Sequence, residues 1–282
     1  MSGSRRRHKE GVEGRKRALP RAGTCPPSPV RQNAEAHRDR DGAAFASLTI
    51  RQPQSGYRFS IDSVLLADFA SAFCGEVVLD LGTGCGVALL LLSRMCGSLR
   101  YGVGVEVQRE LYEFARGNIE ENGFSGSLSA VHGDFREKLP GLSGGSFDLV
   151  ISNPPYRRVG DGRRNPDPQK EIARHEVMCT MPELFRSAGR YLSPTGRFAM
   201  LGLPQRLGEM LSCATAERIF PDTLRFVHPY PDKPANLLLF AASRRKPPEF
   251  SVLPPLAVYS EKGRYHPDVE RIYQAVNPAS PD

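Results

Sequence analysis

The chain has 282 residues, of which 40% are hydrophobic and 24% are charged. That length and composition are typical of a globular protein with one or two domains. No apolar run, including residues 87–92, exceeds six residues, far fewer than the ~20 that cross a bilayer, so the sequence argues against a membrane-spanning helix.

Positive charge is concentrated near the N-terminus. The formal net charge is +7, and residues 1–40 hold eleven Lys and Arg against four Asp and Glu, which accounts for all of it. A segment rich in Arg, Pro and Gly with few apolar residues cannot bury enough surface to offset its ordering entropy. We therefore predict a disordered basic tail over residues 1–47. Three interpretations of the tail stay open: an arm that binds nucleic acid, a spurious upstream start or solubilising tail, and an organellar transit peptide, against which Glu10 and Glu13 argue.

The first helix is predicted soon after the tail. Apolar and polar residues alternate weakly there, and Pro53 and Gly56 favour a turn. Ser60 or Asp62 is suited to N-cap a helix over residues 63–72.

A strand, a glycine-rich loop and a helix follow in succession. Residues 76–81 predict a buried parallel strand, the loop is Gly82-Thr83-Gly84-Cys85-Gly86, and the helix covers residues 87–96. This succession lets backbone N–H groups and a helix N-terminus approach a cofactor. The usual dinucleotide fingerprint has a further glycine where this chain has Val87, so the loop departs from an NAD site.

An acidic residue ends the next predicted strand. Residues 101–105 predict that strand, and Glu106 lies 20 residues after Gly86. Such a distance places a carboxylate at the tip of the neighbouring strand, where it accepts hydrogen bonds from a ribose diol. The alternative is an ordinary solvated charge or a helix cap.

The third strand leads to another acidic residue. Residues 108–122 predict a helix that ends at Asn122-Gly123, and residues 127–131 predict the strand. Asp134 follows it and is placed to bind an amine, with Phe135 beside a ring. Gly-Asp is also a common turn, so this signal alone is weak.

The fourth strand, residues 147–151, opens into the stretch Asn153-Pro154-Pro155-Tyr156. Consecutive prolines fix φ and push the residues before them into extended geometry, so the loop is predicted to be stiff. The carbonyl oxygens of Asn153 and Pro154 can each accept an N–H, and Tyr156 can stack on a ring. Together they suit a planar group that bears an NH₂. A stiff strand exit without chemistry is the alternative.

The loop after this stretch is basic. Its arginines are Arg157, Arg158, Arg163 and Arg164. They are suited to bind phosphates beside the pocket. The same pattern is equally compatible with an ordinary charged surface loop.

The remainder of the chain predicts further helices and strands. Helices are predicted over 171–179, 182–192, 203–217 and 267–276, and strands over 196–201, 223–227 and 237–242. Residues 247–258 are rich in proline. The six cysteines, at positions 25, 74, 85, 96, 179 and 213, have no metal-ligand spacing, which indicates free thiols, no metal site and a reducing cytoplasm.

Strands alternate with helices, which predicts an α/β fold with a mostly parallel sheet and a ligand at the carboxyl ends of the strands. Asp80-Leu-Gly-Thr-Gly-Cys-Gly with Glu106, Asp134 and Asn153-Pro-Pro-Tyr, in this order, resembles the class I S-adenosylmethionine-dependent methyltransferases. The resemblance covers about residues 76–243. It implies an enzyme with a Rossmann-like, seven-stranded, mostly parallel sheet whose last strand is antiparallel.

The resemblance also implies a role for each matching residue. Glu106 would hold the ribose hydroxyls of S-adenosylmethionine, and Asp134 would accept from its adenine amine with Phe135 beside the ring. Asn153, Pro154 and Tyr156 match the motif of enzymes that methylate a nitrogen conjugated to a planar system, and Asn153 would also border the cofactor. The residues around the methionine portion would be Asp80, Gly82, Thr83, Gly84 and Gly86.

A closer resemblance extends beyond these motifs. Gln52-Pro53, residues 57–62, residues 174–176 and residues 258–273 look like the bacterial enzymes that methylate an adenine amine next to the anticodon of a valine tRNA. This implies a tRNA partner, no membrane and no metal. A monomer is favoured, although the sequence leaves the oligomeric state open.

The same motifs leave alternatives open. Another planar NH₂ group, in a protein glutamine, a ribosomal RNA guanine or a DNA adenine, fits the Asn-Pro-Pro-Tyr loop equally well. A non-catalytic RNA-binding protein on this scaffold is a further alternative. We expect residues 48–246 to form the methyltransferase domain and residues 247–282 to form an extension packed on it.

Overall fold

A computed structural model describes residues 48–53, 59–154 and 179–276. The helices are α1 (Ile61–Ser71), α2 (Val87–Met95), α3 (Arg109–Glu121), α4 (Met181–Tyr191), α5 (Leu207–Ala216) and α6 (Pro267–Val276). The longer strands are β1 (Val77–Leu81), β2 (Tyr101–Glu106), β3 (Leu128–His132), β4 (Phe147–Ser152), β5 (Leu192–Gly202), β6 (Phe220–His228) and β7 (Leu237–Ser243). The short strands are β8 (Ser251–Val252), β9 (Leu256–Ala257), β10 (Tyr259–Glu261) and β11 (Arg264–Tyr265).

The central sheet has the strand order β3-β2-β1-β4-β5-β7-β6-β8. Strands β1 to β5 pair in parallel, and β7 is antiparallel to both β5 and β6. The carboxyl ends of β1 to β6 therefore lie along one edge of the sheet. The predicted α/β class and the antiparallel last long strand are confirmed.

The strand count differs from the seven predicted. The described sheet has nine strands, because β8 and β9, both from the proline-rich C-terminal part, pair with the outer edge of β6. Each of these two strands has only two residues, which is too short for a period-two pattern to predict. The small sheet of β10 and β11 lies outside the main sheet.

Two apolar layers cover the sheet. Alternate residues of each strand point to opposite faces, so Val78 belongs to one layer and Leu79 to the other. Helices α1, α2, α3 and α6 contribute to the first layer, and α4 and α5 to the second. The domain is thus a three-layer sandwich of helices, sheet and helices.

Local signals set most element boundaries. The Ser60 hydroxyl accepts a hydrogen bond from the Asp62 N–H and caps α1, and Gly123, at φ 75°, follows the end of α3. Strand β5 begins four residues earlier than predicted, directly after α4, because Leu192 already pairs with Phe147. The helix predicted over 171–179 lies almost wholly outside the described residues.

Two cysteines are bonded to each other. Cys74 and Cys96 form a disulfide between the ends of α1 and α2, so the prediction that every cysteine is a free thiol is wrong for this pair. The two helices pack side by side and both cysteines follow helix ends, a proximity that their 22-residue separation does not reveal. Cys85, Cys179 and Cys213 are free.

Within the part of the chain that the structure describes, no helix has both the length and the apolar character needed to cross a bilayer.

Candidate active site

The glycine loop between β1 and α2 is held by hydrogen bonds to its own backbone and to β2. The N–H groups of Gly82 and Thr83 both donate to the carbonyl of Val105, at 2.9 and 3.0 Å, and the Gly86 N–H donates to the Thr83 carbonyl at 2.9 Å. Gly84 and Gly86 have φ of 58° and 81°, a region that favours glycine. The loop therefore makes a tight turn at the carboxyl edge of the sheet and leads into the N-terminus of α2.

Glu106 closes this loop from the neighbouring strand. One carboxylate oxygen accepts the Gly84 N–H at 2.9 Å and the other accepts the Gln108 N–H at 2.9 Å. The side chain is 5% exposed, and burial raises its pKa despite these hydrogen bonds from the backbone. The Glu106 carboxylate is therefore a buried acceptor held at the edge of the glycine loop.

Asp80 is a buried acid beneath the loop. It is 2% exposed, and its carboxylate accepts the Thr83 hydroxyl at 2.7 Å. Burial, together with the nearby charge of Glu106, raises the pKa of Asp80 to about 7 although the Thr83 hydroxyl opposes the shift. Among the described residues no cation lies within ion-pair distance of Asp80. The site therefore has an uncompensated acid that would be stabilised by a cationic ligand group.

Replacing Asp80 by Asn is expected to change how the stability of the ligand-free protein depends on pH. The folded-state pKa of about 7 lies above the ordinary value of 3.8 for an aspartate. The contribution of protonated Asp80 is therefore fully present below about pH 4 and is lost as the pH rises through about 7. Urea denaturation of both proteins between about pH 4 and about pH 7 measures this contribution to the unfolding free energy. The unfolding free energy of the parent should fall relative to that of the variant by a few kcal/mol; parallel curves would contradict the expectation.

Asp134 and Phe135 lie in the loop after β3, beside the glycine loop. The ring of Phe135 comes within 3.9 Å of the position that a Cβ on Gly82 would occupy. The carboxylate of Asp134 is held by the guanidinium of Arg136, with the Nε at 2.9 and 2.8 Å from its two oxygens. Burial alone would raise the pKa of Asp134, but the hydrogen bonds and charge of Arg136 outweigh it and lower that pKa. Asp134 is therefore an anion with a fixed orientation.

Asn153 and Pro154 follow β4 at the same edge. Ile151 pairs with Asp80 across β4 and β1, so Asn153 leaves the sheet next to the start of the glycine loop. The Ser152 hydroxyl donates to the Leu81 carbonyl at 2.8 Å and ties the two strand ends together. Asn153 and Pro154 are both half-buried. The structure thus brings Asp80, Glu106, Asp134 and Asn153, each from a different strand end, to the same edge of the sheet.

Other predicted site residues lie outside the described residues. These are Tyr156 and the arginines Arg157, Arg158, Arg163 and Arg164. Residues 1–47 and 174–176 are outside as well. Among the described residues no group of three or more His, Cys, Asp or Glu has a geometry that would hold a metal ion.

Sequence reasoning overlooked three residues that shape the site. Arg136 holds the carboxylate of Asp134, and the only sequence pattern that indicates this contact is that Arg136 follows Asp134 by two residues. Ser152 joins two strand ends, and no sequence pattern indicates that contact. Asn118 is fully buried in α3 and donates a hydrogen bond to the glycine loop. An Asn on the apolar face of an amphipathic helix indicates a buried polar contact, because a buried amide needs hydrogen-bond partners.

Comparisons with known proteins find methyltransferases. A family model described as a methyltransferase domain matches residues 73–212. A solved structure of a predicted O-methyltransferase from Agrobacterium tumefaciens is similar in fold, with a TM-score of 0.61, 21% identity and coverage of 77% of this chain and 98% of that one.

Curated relatives span most of the chain. A tRNA1(Val) (adenine(37)-N6)-methyltransferase of Porphyromonas gingivalis is 29% identical over 240 residues, which cover 81% of this chain and 92% of the relative. A protein of the same name from Parabacteroides distasonis is 27% identical over 199 residues, which cover 71% of this chain and 82% of the relative.

Proposed function

We propose that the chain, whose residues 73–212 match a methyltransferase-domain family model, transfers a methyl group from S-adenosylmethionine to the exocyclic amine of an adenine in the anticodon-loop region of a tRNA. The observation that carries the proposal is the junction of two motifs at one sheet edge. The glycine loop, closed by Glu106 on the Gly84 N–H, lies beside the strand end from which Asn153-Pro154 leaves. The relatives named as tRNA adenine methyltransferases support the choice of substrate.

The residues at this edge fit the cofactor. Its methionine portion bears an ammonium group, and Asp80 is a buried carboxyl without a cation partner among the described residues. The Glu106 carboxylate would accept hydrogen bonds from a ribose diol, and Phe135 lies against the glycine loop, where it would flank an adenine ring. Asp134 is the acceptor for the adenine amine, although its carboxylate already binds Arg136. A carboxylate has about four lone-pair sites, so it can serve both partners.

The cofactor supplies an electrophilic methyl group when bound. The lone pair of an aryl amine is delocalised into its ring, so the target nitrogen is a weak nucleophile. Acceptors at Asn153 and Pro154 that face its two hydrogens would favour the pyramidal nitrogen of the transition state through fixed dipoles and positioning. Because the methylated nitrogen is acidic, it can lose its proton to water without a strong general base.

The proposed role of Tyr156 is to stack on the target base. Base–aromatic stacking contributes ~1–3 kcal/mol in comparable sites. The base must first leave its stack, and a single-stranded loop makes that easier than a duplex does.

Mass spectrometry of nucleosides tests the proposal. Unmodified tRNA is incubated with the protein and S-adenosylmethionine and digested to nucleosides. We expect one additional methyl group on adenosine. Methylation of guanosine, of DNA or of protein in parallel incubations would assign the site to a different planar NH₂ group. Cofactor binding without any methylated product would instead indicate a binding protein.

The proposed phosphate contacts are tested by charge removal. Changing Arg157 and Arg158 to Ser should weaken tRNA binding and reduce the slope of log affinity against log salt by roughly 1.4, since each phosphate contact contributes roughly 0.7 on a single strand. Arg245 and Lys246 provide the matched control, because both are exposed and follow β7, whose carboxyl end lies at the opposite edge. Their double Ser variant removes the same charge and should leave the slope nearly unchanged. Equal slopes in all three proteins would assign Arg157 and Arg158 to solvent.

The proposal extends to the organisation of the chain. We propose a methyltransferase domain over residues 48–246 and an extension over residues 247–282, supported by the pairing of β8 and β9 with β6 and by the contacts of α6 with α1 and α2.

The tRNA substrate also supports a cytoplasmic location, and a monomer is the proposed oligomeric state. In a reducing compartment Cys74 and Cys96 would be thiols.

A further inference from the structure

Two asparagines of α3 bind an extended segment that precedes α1. The side chain of Asn122 accepts the Thr49 N–H at 2.8 Å and donates to the Thr49 carbonyl at 2.7 Å. The side chain of Asn118 does the same with Arg51, at 2.7 and 2.8 Å. Each side-chain amide thus makes the two hydrogen bonds that a neighbouring strand would make with an extended segment in a sheet.

The spacing of the two asparagines matches that of the segment. Four residues of an α-helix rise about 6 Å, and two residues of an extended chain span about 6.6 Å. Residues 49 and 51 of an extended segment face the same side, so side chains four apart on a helix reach both. Leu48 and Ile50 point to the other side and are buried, at 3% and 2% exposure. The segment is therefore held by packing as well as by the asparagines.

Asn118 differs from Asn122 in one respect. Its second N–H donates to the carbonyl of Cys85, in the glycine loop, at 2.9 Å. The second N–H of Asn122 donates to the Asn118 carbonyl within its own helix, at 2.7 Å. Asn118 is fully buried, and both of its donors and its acceptor are occupied. It is the one of the two that joins the segment to the loop.

The bond to Cys85 fixes a peptide plane of the cofactor loop. Because the peptide is planar and trans, the Cys85 carbonyl and the Gly86 N–H point in opposite directions. Anchoring that carbonyl on Asn118 directs the Gly86 N–H to the Thr83 carbonyl, where it is found at 2.9 Å. The loop also lies close to α3, since a Cβ on Gly86 would be 3.4 Å from the Cβ of Ala115.

From these contacts we infer that Asn118 is a positioning residue for cofactor binding, and that it couples the docking of residues 48–53 to the conformation of the glycine loop. The inference rests on the proposed function only in that the loop binds the cofactor. Coupling between two sites is reciprocal. Loss of Asn118 should weaken cofactor affinity, and cofactor binding should protect the docked segment from exchange.

The test compares Asn118→Ala with Asn122→Ala by calorimetric titration of S-adenosylmethionine without RNA. Each variant loses three side-chain hydrogen bonds, but only Asn118→Ala loses the one to the loop. We expect the Kd to rise about tenfold for Asn118→Ala and less than about twofold for Asn122→Ala, with similar losses of thermal stability. In steady-state assays the KM for the cofactor should rise for Asn118→Ala, while kcat and the KM for RNA stay near parental values.

Hydrogen exchange gives a readout that does not depend on turnover. In the parent, saturating cofactor should slow exchange of the Thr49 and Arg51 amides, and in Asn118→Ala this slowing should be lost. If Asn118→Ala fails to fold, Arg51→Pro tests the same link, because it removes the N–H that Asn118 accepts and leaves the bond to Cys85. Thr49→Pro is one control, and Arg51→Ala, which keeps the N–H but loses the ion pair with Glu121 as Arg51→Pro does, is the other. Arg51→Pro should raise the Kd several-fold and Thr49→Pro should not.

Three results would overturn the inference. One is equal rises in Kd for the two asparagine variants, which would indicate a general loss of stability. Another is a parental Kd for Asn118→Ala. The third is a parent that does not bind the cofactor, which would overturn the proposed function as well, whereas the first two leave that function intact.

Discussion

Replacing Asn153 by Ala is expected to lower turnover by about 10²–10³-fold, while the affinities for tRNA and cofactor change little. The variant keeps the backbone of the loop, Pro154 and the aromatic residue after it. It removes the side-chain carbonyl of Asn153, one of the two carbonyl groups proposed to accept the hydrogens of the target amine. An acceptor that acts mainly on the transition state affects kcat more than binding, and loss of one preorganised polar contact has this size in an oxyanion hole.

The position of Asn153 makes the variant interpretable. It follows β4 directly after Ser152, whose hydroxyl is anchored on the Leu81 carbonyl. That anchor and the pairing of Ile151 with Asp80 remain in the variant, so the strand end should keep its place beside the glycine loop. A Ser152→Ala variant, which removes only the anchor, serves as the control for small displacements of the loop.

A contrast with Tyr156 separates chemistry from binding. Tyr156→Ala should weaken productive tRNA binding as well as slow turnover, because stacking holds the base before attack and during it. Single-turnover rates at saturating tRNA and cofactor measure the effect of Asn153→Ala on chemistry alone. If that variant keeps a near-parental rate, the Asn-Pro-Pro-Tyr stretch is only a stiff strand exit, and the assignment to adenine methylation fails with it.

The edge that carries the site could be predicted from the sequence. Buried parallel strands are short apolar runs, and Asp80, Glu106, Asp134 and Asn153 each come at or just after the end of one. In a parallel sheet such ends share an edge, so the pattern of apolar runs is enough to place four residues together that lie far apart in the chain.

The connections that hold this edge could not be predicted in the same way. The bond from Asn118 to Cys85, the clamp of Arg136 on Asp134 and the disulfide between Cys74 and Cys96 depend on how particular side chains meet. Spacing along the chain shows neither which of several polar groups will pair nor which helix ends will touch.

A second large effect is expected for Glu106. Changing Glu106 to Ala should raise the Kd for S-adenosylmethionine at least tenfold, because a hydrogen bond to a charged group contributes about 1.5–3 kcal/mol. The structure adds a reason for the loss. Both carboxylate oxygens accept backbone N–H groups, from Gly84 and Gln108, so the variant also leaves the glycine loop without this acceptor.

Glu106→Gln is expected to rescue little of this affinity. A Gln side chain has one acceptor oxygen, so its NH₂ group would face the N–H of either Gly84 or Gln108, donor against donor. Glu110→Ala is the matched control, since Glu110 is an exposed acid four residues later in the first turn of α3. It removes the same charge without touching the loop and should leave the Kd near the parental value.

A cofactor analogue without the ribose hydroxyls distinguishes two ways in which Glu106 can act. If the carboxylate binds the diol, the parent should lose affinity for the analogue, and Glu106→Ala should lose little more, because the interaction is already absent. If Glu106 acts only by holding the Gly84 N–H, the two losses should add. Calorimetric titration of the parent and of Glu106→Ala, each with the cofactor and with the analogue, gives the four Kd values that this comparison needs. Strictly additive losses would leave Glu106 as a support of the glycine loop, and an unchanged Kd in Glu106→Ala would place the ribose contact elsewhere.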